Sequence, residues 1–219
     1  MHVTRIRTIE DVNNALAQLT RSDTDLARAY QSVCDAGMEV PLRLRPGGFS
    51  GLAEIVISQL LSKASASAIH RRFEFHISPL TPDNCLNADE ITWRAIGMSR
   101  AKQTTLRAIA TALNKGCLNL DCLADLSVEQ AVKQLTAIKG IGPWTADVYL
   151  LFCVGHRDIF PSGDLALREA ARIIWSRQER PLDRDLRKLA SRWSPWRGVA
   201  ARLLWAFYAA EKNRRDAMP

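Results

Sequence analysis

The chain has 219 residues, enough to bury a core either as one large domain or as two small lobes. Apolar residues make up 47% and charged residues 24%, the balance of an ordinary globular chain with neither a low-complexity tract nor a bilayer-length apolar run. Thirty Lys+Arg against 23 Asp+Glu leave a net charge of +7, which favours a polyanionic partner without establishing one.

Taken in chain order, nearly every apolar segment has helical rather than alternating period. A first helical stretch is predicted over Thr8–Ala36, broken near Arg21-Ser-Asp23 and stopped at Gly37. The extended basic segment Pro41-Leu-Arg-Leu-Arg-Pro-Gly-Gly48 follows. Phe49–Phe73 carries a helical stripe of Leu52, Ile55, Val56, Leu60, Ala64 and Ala68, with an interruption expected around Ser62. Asn87-Ala-Asp-Glu90 has a capping-box pattern and opens a short helix ending at Gly97. Ser99 precedes the amphipathic run Arg100–Asn114, and a second capping box, Ser127-Val-Glu-Gln130, starts a helix through Ile138. Pro143 stands at a natural first helical position for Pro143–Val154. Later helices are expected at Asp164–Arg177, Asp183–Arg192 and Pro195–Lys212. No strand pair is legible, and the expected class is all-α.

Leu135-Thr-Ala-Ile-Lys-Gly-Ile-Gly-Pro-Trp-Thr-Ala146 is the most informative stretch. Gly140 and Gly142 allow a sharp turn and a close approach of backbone to a ligand. The helix that starts immediately after them presents unbonded amides and its positive dipole end. Together these make an anion site suited to a phosphate diester, with Ile138 and Ile141 plugging the hairpin into the core. A tight interhelical turn with no ligand is the alternative.

Ile141-Gly-Pro-Trp-Thr-Ala-Asp-Val-Tyr-Leu-Leu-Phe152, followed by Asp158-Ile-Phe-Pro-Ser-Gly-Asp164, resembles the signature of the helix-hairpin-helix alkylbase DNA glycosylases, the DNA-3-methyladenine glycosylase II type. Ile57-Ser-Gln-Leu-Leu-Ser62, Gly97-Met-Ser-Arg-Ala-Lys102 and Trp193-Ser-Pro-Trp-Arg-Gly-Val-Ala-Ala-Arg-Leu-Leu-Trp205 agree in order. The resemblance implies two helical lobes flanking a DNA-binding cleft. One lobe would combine residues 1–48 with 156–219, and the other, 49–155, would hold the hairpin. Some relatives carry an N-terminal β-rich domain; the few residues before Phe49 suggest the compact version. An iron–sulfur cluster of the kind some relatives hold would need several cysteines after Cys153, and none follows.

The resemblance makes Asp164 the catalytic carboxylate. Its position before Leu165-Ala-Leu-Arg-Glu169 also reads as a helix N-cap, a purely structural job. The same position sets the carboxylate against backbone amides and the positive end of the helix dipole. An anion suits the oxocarbenium character of N-glycosidic cleavage. Asp147, inside a helix, and Asp158, in the preceding turn, fit less well. Bifunctional relatives carry a lysine nucleophile at the second residue after the hairpin; here that residue is Trp144, and Lys139 precedes the glycines instead. A water-using, monofunctional enzyme is implied.

Lys139, Gly140 and Gly142 would contact DNA with Gln59 and Leu60, where Leu60 matches the family's wedge that fills the gap left by a flipped base. An ordinary core leucine is the alternative. Trp144 and Trp205 match pocket aromatics suited to a cationic alkylated purine, or they are core residues at helical spacing. Val148 stands where relatives have a pocket tyrosine, which leaves the damage spectrum open. The implied partner is duplex DNA with alkylated bases, acted on by a monomer. A glycosylase for another lesion and a non-catalytic hairpin module remain the rival readings.

Cys34, Cys85, Cys117, Cys122 and Cys153 are scattered and odd in number, and His2, His70, His76 and His156 add no ligand spacing. No metal or cofactor is therefore expected, and the thiols are expected to be buried and reduced. Met1-His-Val-Thr-Arg-Ile-Arg7 offers no apolar stretch for a signal peptide, so an intracellular site, cytoplasmic (nucleoid) or nuclear, is expected.

Overall fold

The computed structural model describes residues 5–216. Among them are twelve α-helices and, in place of any sheet, one isolated bridge between Arg5 and His156. The fold is all-α. None of the described helices is long and apolar enough to cross a membrane.

The chain forms two compact units, one of Met1–Leu44 with Gly155–Pro219 and the other of Arg45–Val154. The first holds α1 (Ile9–Ser22), α2 (Thr24–Asp35), α10 (Leu165–Ile174), α11 (Asp183–Ala190) and α12 (Arg197–Asp216). The second holds α3 (Gly48–Ser58), α4 (Lys63–His76), α5 (Pro82–Asn87), α6 (Glu90–Ile96), α7 (Arg100–Asn114), α8 (Val128–Thr136) and α9 (Pro143–Tyr149).

In the first unit, α12 packs on α2 and α10, burying Val199, Leu203 and Leu204 with Leu26, Val33, Leu167 and Ile174. Each such side chain removed from water contributes about 1.5–3 kcal/mol before entropy is counted. Asp23 breaks the first helical stretch. Its carboxylate accepts from the amides of Asp25 and Leu26 and so caps α2, and it also accepts from Trp193 Nε1 at 2.7 Å.

In the second unit, α3 packs on α7 and α9, with Leu52, Ile55 and Val56 facing a core that includes Leu106, Ile109 and Tyr149. Ser127 closes a complete capping box with Gln130, as its spacing predicts. The box expected at Asn87 does not form. Asn87 ends α5, a helix the apolar period does not reveal, and Asp89 caps α6 through the Thr92 amide. The interruption expected around Ser62 is present between α3 and α4, where Ser62 caps α4, but Leu60 and Ala64 of the predicted stripe are exposed. The helix expected to run to Val154 is α-helical only to Tyr149, and Leu150–Val154 widens into a π-helical turn. The cysteines depart from expectation too. All five are free, but Cys34, Cys117 and Cys122 are exposed, since they fall on polar helix faces and loops rather than in the core.

Candidate active site

The segment Phe160–Asp164 is wound tightly by its own backbone. The Ser162 amide donates to the Phe160 carbonyl at 2.8 Å, and the Asp164 amide to the Pro161 carbonyl at 2.9 Å. Ser162 is fully buried, and its hydroxyl bonds to the Asp183 carboxylate at the start of α11. This wound segment delivers Asp164 to the head of α10 as N-cap. Its Oδ1 accepts from the amides of Ala166 at 3.0 Å and Leu167 at 3.1 Å. A third donor comes from α12, where Trp205 Nε1 stands 3.0 Å from the same oxygen.

Trp205 is therefore more than an aromatic face. It is half-buried, and its indole N–H serves the carboxylate. Neither Ser162–Asp183 nor Trp205–Asp164 is legible from spacing, because the partners lie on helices separated in the chain.

Asp158 is engaged elsewhere. It accepts from Arg197 Nε at 2.7 Å, Arg197 Nη2 at 3.0 Å and Ser194 Oγ at 2.9 Å. Burial pushes its carboxyl pKa up, but the Arg197 and Ser194 hydrogen bonds and the Arg197 charge outweigh that, and the net shift is downward. It is an anchor of the α12 start. Asp147 is buried within α9.

The second unit carries the remaining predicted residues. The hairpin runs from Ile138 to Gly142, with the Ile141 amide donating to the Ile138 carbonyl at 3.0 Å. Ile141 is buried as expected, while Ile138 is only half-buried. The two glycines differ in kind. Gly140 has φ +91, and a Cβ on it would lie 1.9 Å from Thr105 Oγ1, so the fold itself requires glycine there. Gly142 has φ −91, and a Cβ on it would meet nothing within 4 Å. Its bare backbone borders open space at the start of α9, which no side chain caps. The positive end of a helix beside open space is what an approaching phosphate needs. Lys139 is exposed in the same hairpin, and Trp144 is half-buried in the first turn of α9.

Leu60 stands out physically. Its side chain is 103% exposed, which excludes the core alternative, and its backbone lies in the left-handed region at φ +55. For a residue with a Cβ that conformation costs about 1–3 kcal/mol, and exposure returns none of it. Neighbouring Gln59 donates from Nε2 to Thr145 Oγ1 at 2.8 Å, tying the turn to α9. Thr145 is buried, and its contact with Gln59 is one that the motif alone does not single out.

Among the described residues no group of three or more His, Cys, Asp or Glu is arranged to hold a metal ion.

No family model matches the chain. The chain is 33% identical over 162 residues to DNA-3-methyladenine glycosylase 1 of Schizosaccharomyces pombe, covering 72% of this chain and 71% of that protein. It is 29% identical, also over 162 residues, to the alkylbase DNA glycosidase-like protein mag2 of the same yeast, covering 72% and 76%. Among solved structures, S. pombe 3-methyladenine DNA glycosylase in complex with abasic DNA superposes with a TM-score of 0.78 at 30% identity, covering 88% of this chain and 95% of that one. The DNA-3-methyladenine glycosidase of Bacillus halodurans superposes with a TM-score of 0.75 at 27% identity, covering 99% and 95%.

Proposed function

This chain belongs to the helix-hairpin-helix alkylbase (3-methyladenine) DNA glycosylase family, and from that premise we propose that it hydrolyses the N-glycosidic bond of alkylated purines in duplex DNA. The observation that carries the reading is Asp164, an N-cap whose Oδ1 is gripped by two amides and an indole N–H. A carboxylate oriented by three donors is a fixed negative charge that needs no reorganisation as the bond breaks.

Alkylation at N3 or N7 makes the purine cationic. The C1′–N9 bond breaks with its electron pair going to the base, which leaves as a neutral methylated purine and needs no dedicated acid. Positive charge builds on the deoxyribose opposite Asp164. Water then adds at C1′ and loses a proton, completing an abasic site. The second unit's hairpin at Gly140–Gly142, with Lys139, serves to hold phosphates of the duplex, and Leu60 fills the space left by the extruded nucleotide. Trp205, beside Asp164 in the first unit, supplies aromatic surface to the cationic base. Trp144 stands where a lyase would carry its lysine, so the chemistry ends at the abasic site.

The test is direct. Methylated duplex incubated with the protein should release free 3-methyladenine and 7-methylguanine, detected by chromatography, and leave strands that break only after hot alkali. Duplex binding with no base release would make it a hairpin module instead. A covalent adduct trapped by borohydride would overturn the monofunctional mechanism.

A further inference from the structure

Lys102 has no place in the chemistry above, yet it holds the turn that carries Leu60. It sits half-buried in the first turn of α7, with Nζ 2.8 Å from the Ile57 carbonyl and 2.8 Å from the Gln59 carbonyl. These carbonyls lie at the end of α3, where the last turn has no intrahelical donors and the dipole is negative. An ammonium there satisfies two acceptors at once. The Gln59 carbonyl belongs to the peptide bond leading directly into Leu60, so the grip is applied one bond before the left-handed residue.

One turn along the same helix, Thr105 is the residue against which Gly140 of the hairpin is seated, with no room for a Cβ between them. Positions three apart share a helix face. The start of α7 thus touches the Leu60 turn at Lys102 and the phosphate hairpin at Thr105, all within the second unit.

We propose that Lys102 is a positioning residue for nucleotide extrusion, holding Leu60 in its exposed left-handed conformation while α7 sets its spacing from the hairpin. This rests on the glycosylase reading. Without the ammonium, two carbonyls lose the donor that ties the turn into Leu60 to α7. The hairpin, seated through Thr105, is untouched.

The predicted defect is specific to opening the stack. Lys102→Met keeps the aliphatic stem and removes the charge. Two readouts separate positioning from general damage: single-turnover excision of one alkylated base from a paired and from a mispaired duplex, and the fluorescence rise of 2-aminopurine at the target position under saturating protein. Lys102→Met should lose about tenfold or more on the paired duplex and less than about threefold on the mispaired one, whose opening is already cheaper. The 2-aminopurine rise should shrink, affinity for undamaged duplex should hold, and Lys102→Arg should restore most of the paired activity. Should Lys102→Met not fold, Lys102→Gln, which retains a shorter donor, is judged by the same two readouts. Equal losses on both duplexes, or unchanged excision and fluorescence, would overturn the inference. Absence of base release by the unaltered protein would instead overturn the glycosylase reading, and the 2-aminopurine measurement, which needs no bond cleavage, tells the two failures apart.

Discussion

Three donors converge on one oxygen of Asp164, and an amide oxygen can accept from all three. Asp164→Asn therefore removes charge while keeping the cap, and stability should change by no more than about 1 kcal/mol. Loss of the fixed anion should lower excision of 3-methyladenine by roughly two orders of magnitude or more, with undamaged-duplex binding kept. Thermal melting and single-turnover excision check both halves, and a folded variant that excises at the unaltered rate would leave Asp164 only a cap. The charge control cannot be Asp158, whose ion pair with Arg197 is largely buried. Losing those charge-assisted bonds would cost on the order of 2 kcal/mol. Asp185 serves better, being exposed and only 3.6 Å from an exposed Arg184 in a pair worth little.

At the scale of elements, the hairpin glycines part company. Gly140→Asp should lower the melting temperature, because Thr105 occupies the space its Cβ would need and the left-handed φ is strained for any side chain. Gly142→Asp should melt like the unaltered protein, yet weaken duplex binding by placing a carboxylate at the phosphate approach. A folded Gly142→Asp protein with unchanged affinity would remove the hairpin from the DNA contact. The connection between α10 and α11 has its own electrostatic tie. Hydrogen bonds from Arg172 and then Arg180 bring the Glu169 carboxyl from 4.5 down to about 2. A depressed folded pKa means the unfolded chain takes up the proton first. The stabilisation is complete above pH 4.5 and drains as pH falls towards about 2. Glu169→Gln should cost on the order of 1–2 kcal/mol at neutral pH and flatten the melting-temperature profile across that acid window. A profile unchanged from the unaltered protein would show that the tie contributes nothing.

For the molecule as a whole, the +7 charge and the hairpin together predict how undamaged DNA is held. Phosphate contacts release counterions, so affinity should fall linearly on a log–log plot against salt, by a slope of about 0.9 for each phosphate neutralised. Anisotropy titrations with undamaged duplex at several salt concentrations measure it. Binding that barely responds to salt would mean that the positive charge is spread over surfaces that do not meet the duplex.

What the sequence determined by itself was local. Thr8, Ser62, Ser127 and Asp164 cap helices that begin one residue later, because capping is a bargain between a side chain and amides two or three positions on. The all-α class followed from apolar period, and the family from contiguous motifs around the hairpin and Asp164. Tertiary structure decided the rest. Periodicity marked Leu60 as one more apolar position on a stripe, and only the packing of α3 on α7 and α9 left it outside. Spacing made Gly140 and Gly142 look alike, and only Thr105 on another helix distinguishes them. Trp205 reached Asp164, and Lys102 the Leu60 turn, across helices far apart in sequence. Such partners are chosen by which helix faces meet, and that choice depends on the whole buried core rather than on any window of neighbouring residues.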